Sequence, residues 1–312
     1  ISRQLWWGHR LPVYYINGTD EYVVSKTKPA DTDDIKYIQD EDTLDTWFSS
    51  ALWPFSVLGW PNETEDFKYF YPTDVLVTGY DIIFFWVIRM VFSAIEHTGQ
   101  VPFKHVLITG IVRDEQGRKM SKSLDNGVDP LDVIDHYGAD ALRFFLVNGN
   151  SPGNDLRYFE SRVEASRNFA NKLWNASRLV LMNVDDNFVE KNVEDINLRP
   201  EDKWILHKLN QTILSIDKQL DKFEIGLYSN EIYEFIWYEF CDWYLEMVKY
   251  RLYDEDAGVK NDAVNVLVYT LDKILKLLHP IMPFITEEIY QHLPVKDEAL
   301  IIASWPKYQE AF

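Results

Sequence analysis

Val75-Leu76-Val77-Thr78-Gly79-Tyr80-Asp81 changes character within one short run. A β-branched apolar stretch of strand length gives way to glycine, and then to an acid that opens a segment of helical length, Asp81 to His97, closed by Gly99 and Pro102. A second apolar run, His105-Val106-Leu107-Ile108-Thr109, is again too short for a helix and reads, like the first, as a buried strand. Strand, helix and strand make one βαβ unit, with Gly79 and Asp81 at the carboxyl end of a parallel strand. α/β sheets bind nucleotides at that end: glycine permits close approach of a ligand, and a carboxylate accepts hydrogen bonds from ribose hydroxyls. The same Gly-x-Asp turn also reads as an ordinary helix cap.

Beyond this unit lies Gly117-Arg118-Lys119-Met120-Ser121-Lys122-Ser123-Leu124. Two ammonium groups three residues apart follow a strand, with a permissive glycine beside them. On charge alone this is either a solvated basic turn or a loop that folds over a triphosphate, where point-charge lysines suit developing negative charge. A helix then starts at Asp129-Pro130-Leu131-Asp132, with Asp129 as cap and Pro130 in the first turn. After Asn154 the pattern becomes long helices: Ile205, Leu209, Ile213, Ile216, Leu220 and Phe223 form one apolar stripe. Similar stripes run through Val163 to Leu181, Ile232 to Tyr250 and Val264 to Leu278, and Pro280 and Pro283 break the last. The acidic stretch Val184 to Arg199 has no stripe and reads as a loop. Residues 1–154 are thus expected to form an α/β unit and residues 155–312 a helix bundle.

Bulk properties bound what such a chain can do. Its 312 residues exceed a usual single core, and the 46% hydrophobic content is enough to bury more than one. The lone cysteine, Cys241, can form neither an internal disulfide nor a thiolate metal site, which points to a reducing cytoplasm. No membrane span is expected: the most apolar window, Val75 to Ile95, contains Asp81 and Arg89, each costing about 2.5–3.5 kcal/mol at a bilayer centre. With 50 acidic against 31 basic residues the net charge is −19, opposite to the usual footprint of a nucleic-acid binder, so any RNA must meet a local basic track.

The string Lys119-Met120-Ser121-Lys122-Ser123 matches the KMSKS signature of class I aminoacyl-tRNA synthetases, and Gly79-Tyr80-Asp81 resembles their ribose-binding Gly-x-Asp element. Asp45-Thr46-Trp47-Phe48-Ser49-Ser50 is similar to the corresponding block of the valyl branch. The resemblance implies a Rossmann-like partial catalytic domain followed by an all-α anticodon-binding bundle. It implies ATP binding by Gly79, Asp81, Lys119, Ser121, Lys122 and Ser123, with Lys119 and Lys122 catalytic, and Mg2+ arriving on the ATP phosphates. It assigns Asp45, Trp47 and Trp86 to an amino-acid pocket for valine, and tRNA(Val) as the partner. One departure stands in the loop: Asp125 occupies a position where relatives usually carry glycine.

Asp155-Leu156-Arg157-Tyr158-Phe159 and the helix after it resemble the junction into the anticodon-binding bundle, which Trp305-Pro306 would close. Arg162, Arg167, Lys172 and Arg178 are the tRNA-binding candidates there, although their spacing spreads them around a helix and equally describes a solvated face. No His-Ile-Gly-His string and no editing insertion is recognisable, so the chain reads as part of a longer enzyme, inactive alone and lacking the other catalytic half. The rival readings are an isoleucyl or leucyl enzyme and a non-catalytic tRNA-binding helical module.

Overall fold

The computed structural model describes residues 2–3, 7–121, 123–294, 296–310 and 312. Among them, two compact units divide between Thr109 and Gly110.

The first unit begins with small antiparallel ladders. Strand β1 (Ser2–Arg3) pairs with β5 (Thr43–Leu44), while β2 (Val13–Ile16) lies between β3 (Tyr22–Val24) and β4 (Tyr37–Gln39). Helices α1 (Thr46–Ser56) and α2 (Glu65–Phe70) follow. The βαβ core is then present as expected: β6 (Thr73–Gly79) runs parallel to β7 (Phe103–Thr109), in a register that sets Gly79 beside Thr109.

Two details differ from the sequence reading. The strands are not wholly buried, since Val77 is 56% exposed while its neighbours Leu76 and Thr78 are covered. A parallel pair needs cover on both faces, and within this unit only one face receives it. The segment after β6 is also no uniform α-helix: Tyr80–Ile82 is a 3-10 turn, Ile83–Val87 is π-helical, and only Ile88–Thr98 (α3) is α-helical. Gly99, at φ +72, ends α3 in the left-handed conformation that a side chain would disfavour.

The second unit opens with β8 (Val112–Arg113), parallel to β9 (Leu156–Arg157). Between them lie α4 (Pro130–Tyr137), capped by the Asp129 carboxylate at 2.8 Å from the Leu131 amide, and α5 (Ala139–Val147). Helices α6 (Glu160–Met182), α7 (Pro200–Asp221), α8 (Ile225–Glu234), α9 (Leu245–Leu252), α10 (Ala257–Leu278) and α11 (Pro283–Tyr290) complete it. A long π-helical segment, Phe235–Tyr244, joins α8 to α9. The predicted stripe of α7 buries Ile205, Leu209, Ile213 and Ile216 in one core with Phe169, Leu173, Val264 and Leu271. Each such side chain taken from water contributes about 1.5–3 kcal/mol. Phe223 falls beyond the helix at φ +59. Val184 to Arg199 is a connection with a single 3-10 turn, Val193–Asp195, and it buries Val193 and Ile196.

The division expected after Asn154 therefore lies inside the second unit. Helix α5 explains why: Phe144 packs on Phe169 with ring centres 4.9 Å apart, and Arg143 Nε donates to the Ile281 carbonyl at 2.9 Å. Asp140 accepts from the Ile285 amide at 2.7 Å, capping α11. The change in sequence pattern at Asn154 marks a change of secondary structure, whereas compactness follows these contacts. No described helix is long and apolar enough to cross a membrane.

Candidate functional site

In the first unit the candidate residues lie at the end of β6, in the π-helical turn after it, and at the start of α1. The Asp45 carboxylate caps α1, accepting from the Trp47 amide at 3.1 Å, and is itself buried. Such a cap is worth about 1 kcal/mol. Trp47 stacks on Phe85 with ring centres 5.9 Å apart, and Trp86 donates its indole N–H to the Ser50 carbonyl at 3.0 Å. Trp53 lies 6.2 Å from Trp86. Two successive residues of the π-helical turn thus both reach α1, Phe85 against Trp47 and Trp86 against Ser50 and Trp53. Single helical turns of this kind are frequent at functional sites.

Gly79 stands at the tip of β6 with ordinary extended dihedrals, so its value is spatial. A Cβ built there would lie 2.9 Å from Asp81 Oδ1. The missing side chain leaves room for the Asp81 carboxylate beside the strand tip. In the full-length protein, if Asp81 contacts ATP, Gly79→Ala is expected to shift that carboxylate and raise the KM for ATP about tenfold while the melting temperature stays within about 2 °C, because the displaced atom ends a flexible side chain. An unchanged KM would remove Gly79 from the site.

In the second unit the lysine loop is built on a hydrogen-bonded turn. The Gly117 amide donates to the Asp114 carbonyl at 2.9 Å, and the Asp114 amide donates to the Arg118 carbonyl at 3.0 Å. Gly117 adopts φ +81, and Arg113 and Lys119 face each other in an antiparallel bridge. Asp114, almost fully buried, accepts from the Arg118 amide and from Arg118 Nε, both at 2.7 Å, and from Asn126 Nδ2 at 2.9 Å. Desolvation opposes ionisation of Asp114, yet those hydrogen bonds from Asn126 and Arg118 outweigh it and hold the carboxyl at about 2. A depressed pKa means the lattice is intact above the ordinary carboxylate range and loosens only as pH falls towards 2.

Asn126 also accepts from the Ser121 amide at 2.9 Å, and Ser121 and Ser123 share a hydroxyl hydrogen bond at 3.1 Å. The side chain of Lys119 is exposed, and Lys122 lies outside the described residues. Asp125, the departure noted above, sits at φ +47. A left-handed non-glycine residue is strained, aspartate less so than most. Asp125→Gly should relieve that strain and remove one negative charge from the loop, lowering the KM of the full-length protein for ATP about threefold. A rise in KM would contradict this.

The four basic candidates of α6 do not form one track. The Arg162 guanidinium lies 5.4 Å from the Phe159 ring, and Arg167 pairs with Glu164 at 3.7 Å and covers Tyr137. Lys172 is bound by Asp242 at 2.6 Å and stacked 3.8 Å from the Trp237 ring, while Arg178 is exposed. Asp114 and Asn126 escaped the sequence reading, although Asp114-x-x-Gly117 carries the marks of a tight turn. Cys241 is buried, and its thiol is pushed up to about 12 by desolvation, so it is a packing residue.

Comparison with known proteins gives the family. A family model described as tRNA synthetases class I (I, L, M and V) matches residues 1–158, half of the chain. The chain belongs to the class I tRNA synthetases. A second model, the anticodon-binding domain of tRNA ligase, matches residues 202–312. Among curated relatives of this synthetase chain, the valine–tRNA ligase of Clostridium acetobutylicum is 58% identical across 99% of it, and that of Bacillus cereus is 58% identical across 99%. The chain spans only 36% and 35% of those two proteins. Solved class I structures share the fold at low identity. The Agrobacterium radiobacter K84 LeuRS–tRNA–LeuAMS ternary complex gives a TM-score of 0.76 at 20% identity over 100% of this chain and 43% of that one. Mycobacterium tuberculosis methionyl-tRNA synthetase in complex with methionyl-adenylate gives 0.71 at 20% identity over 93% and 53%.

Proposed function

We propose that the protein containing this chain is a valine–tRNA ligase, in which residues 1–154 are the KMSKS-bearing, Rossmann-like part of the catalytic domain and residues 155–312 the anticodon-binding bundle. The observation that carries this reading is the 58% identity to valine–tRNA ligases sustained over 99% of the chain, with Trp47, Trp86 and the lysine loop all inside it. The two family models match residues 1–158 and 202–312, and the compact division falls at Thr109.

In this reading the valine carboxylate attacks the α-phosphate of ATP. A carboxyl–phosphate bond forms, the bond to the β-phosphate breaks, and pyrophosphate leaves. Asp81, given room by Gly79, holds the ribose. Lys119 and Lys122 neutralise charge developing on the departing phosphates, and the hydroxyls of Ser121 and Ser123 hydrogen-bond them. A hydroxyl of the terminal ribose of tRNA(Val) then attacks the carbonyl and AMP departs. Trp47 and Trp86 wall the side-chain pocket, while Asp45 fixes the start of the helix that carries Trp47. Arg162, Arg167, Lys172 and Arg178 are kept as tRNA-facing candidates, although three of them must leave intramolecular partners to serve. Among the described residues no group of three or more His, Cys, Asp or Glu side chains is arranged to hold a metal ion. Mg2+ is assigned to the incoming ATP phosphates, whose oxygens suit a hard cation. The lone buried cysteine suits a reducing cytoplasm.

The other catalytic half and the editing domain belong, in this proposal, to the remainder of the longer protein. Phe84, Phe85, Ile88 and Phe92, exposed along one side of the helix after β6, form an apolar stripe suited to being covered by it. Valine-dependent exchange of pyrophosphate into ATP by the full-length protein tests the assignment, and isoleucine as the better substrate would overturn it. The 312-residue chain alone is expected to form no valyl-adenylate.

A further inference from the structure

We propose that Asn126 is a positioning residue for the lysine loop, holding the backbone at Lys119 and Ser121 in the arrangement that presents the loop to ATP. The proposal rests on the reading of that loop as the ATP-binding KMSKS element, and it adds a residue outside the five-residue signature.

The argument is one of hydrogen-bond capacity. A primary amide offers one acceptor and two donors at a fixed angle. Asn126 Oδ1 accepts from the Ser121 amide at 2.9 Å, and Nδ2 donates both to Asp114 Oδ2 at 2.9 Å and to the Lys119 carbonyl at 3.3 Å. One side chain thus grips the main chain on both sides of Met120 and anchors it to a buried carboxylate. That carboxylate is itself fixed by the Arg118 amide and guanidinium, so the anchor belongs to the folded turn rather than to the loop. Asp125, in the left-handed region, turns the chain so that Asn126 faces residues five and seven positions behind it. Glutamine is longer by a methylene, aspartate lacks the donors, and alanine lacks everything. Few side chains at this position satisfy all three partners at once.

A loop lysine stabilises charge only if the backbone carrying it is held before the charge develops, since misplacement by about 1 Å can cost about 100-fold in rate. Asn126→Asp preserves the shape but sets two carboxylates against each other where a donor met an acceptor. Asn126→Ala removes the grip without adding repulsion. In Asp114→Asn/Asn126→Asp, donor and acceptor change places across the contact between positions 114 and 126.

The experiment measures pyrophosphate exchange and amide hydrogen exchange on the full-length protein. Expected for Asn126→Asp and Asn126→Ala is a fall in kcat of about 10–100-fold, with the KM for valine and the melting temperature nearly unchanged. The double variant should recover part of the loss. In Asn126→Ala the Ser121 amide should exchange about tenfold faster while the helical core keeps its protection. Kinetics of Asn126→Asp within twofold of the parent would overturn the proposal, as would unaltered protection of the Ser121 amide. The second readout needs no substrate, so it decides the positioning role even if the parent protein fails to activate valine, which would count against the proposed function instead.

Discussion

Replacing Arg251 with alanine should destabilise the helical unit by about 3–5 kcal/mol, a large share of the roughly 5–15 kcal/mol that holds a domain together. Arg251 is 1% exposed and Asp202 0%, and Arg251 Nη1 lies 2.8 and 2.7 Å from the two carboxylate oxygens. Tyr244 donates its hydroxyl to the same carboxylate at 2.7 Å, and the Arg199 amide donates to it at 3.0 Å, which makes Asp202 the first-turn cap of α7 as well. Removing the guanidinium leaves this carboxylate charged, dry and short of its main partner. The desolvation penalty is then uncompensated, whereas the intact pair is close to neutral in net energy. Burial pushes the Tyr244 phenol well above its ordinary range, and the neighbouring carboxylate adds to that, so the tyrosine stays a neutral hydrogen-bond donor to Asp202. Urea denaturation followed by circular dichroism should show a midpoint lower by more than about 1 M. A shift below about 0.3 M would mean that the pair is not sequestered from water.

Lys119→Ala in the full-length protein should lower the rate of adenylate formation about 100–1,000-fold, the usual loss when one group that stabilises transition-state charge is deleted. Its side chain is exposed, so stability should move by no more than about 0.5 kcal/mol. Lys119→Arg should restore only part of the rate, because a planar fork does not reproduce a compact ammonium. Single-turnover measurement at saturating ATP separates this from a binding defect. A loss smaller than about threefold would withdraw the catalytic assignment of this lysine.

Much of the fold was legible because local chemistry and long-range packing agreed. Pro130 after Asp129, Gly99 after Thr98, and the stripe from Ile205 to Ile216 are each short-range signals, and the structure places cap, stop and buried face where they point. The π-helical segments at Ile83–Val87 and Phe235–Tyr244 were not legible. Apolar residues are so dense there that several helical registers look alike, and contact with other elements chooses among them, as Trp86 and Ser50 show. The division at Thr109 was hidden for a related reason, since Arg143 and Asp140 reach partners some 140 positions away.

At the candidate site, the sequence by itself supplied the candidate groups: Gly79 before the Asp81 carboxylate, Lys119 and Lys122 paired in one segment, and the indoles of Trp47 and Trp86 with Asp45. Identity and spacing suffice to nominate them, because charge, size and hydrogen-bonding capacity belong to residues; their roles came from the family resemblance. Only the tertiary structure decided how those groups are held, through Asp114 and Asn126 beneath the loop, Phe85 and Trp53 beside the indoles, and the intramolecular contacts of Arg162, Arg167 and Lys172. Such partners are set by which side chains meet after the chain has folded, and no local pattern encodes a meeting between residues whose separation in sequence does not matter to either.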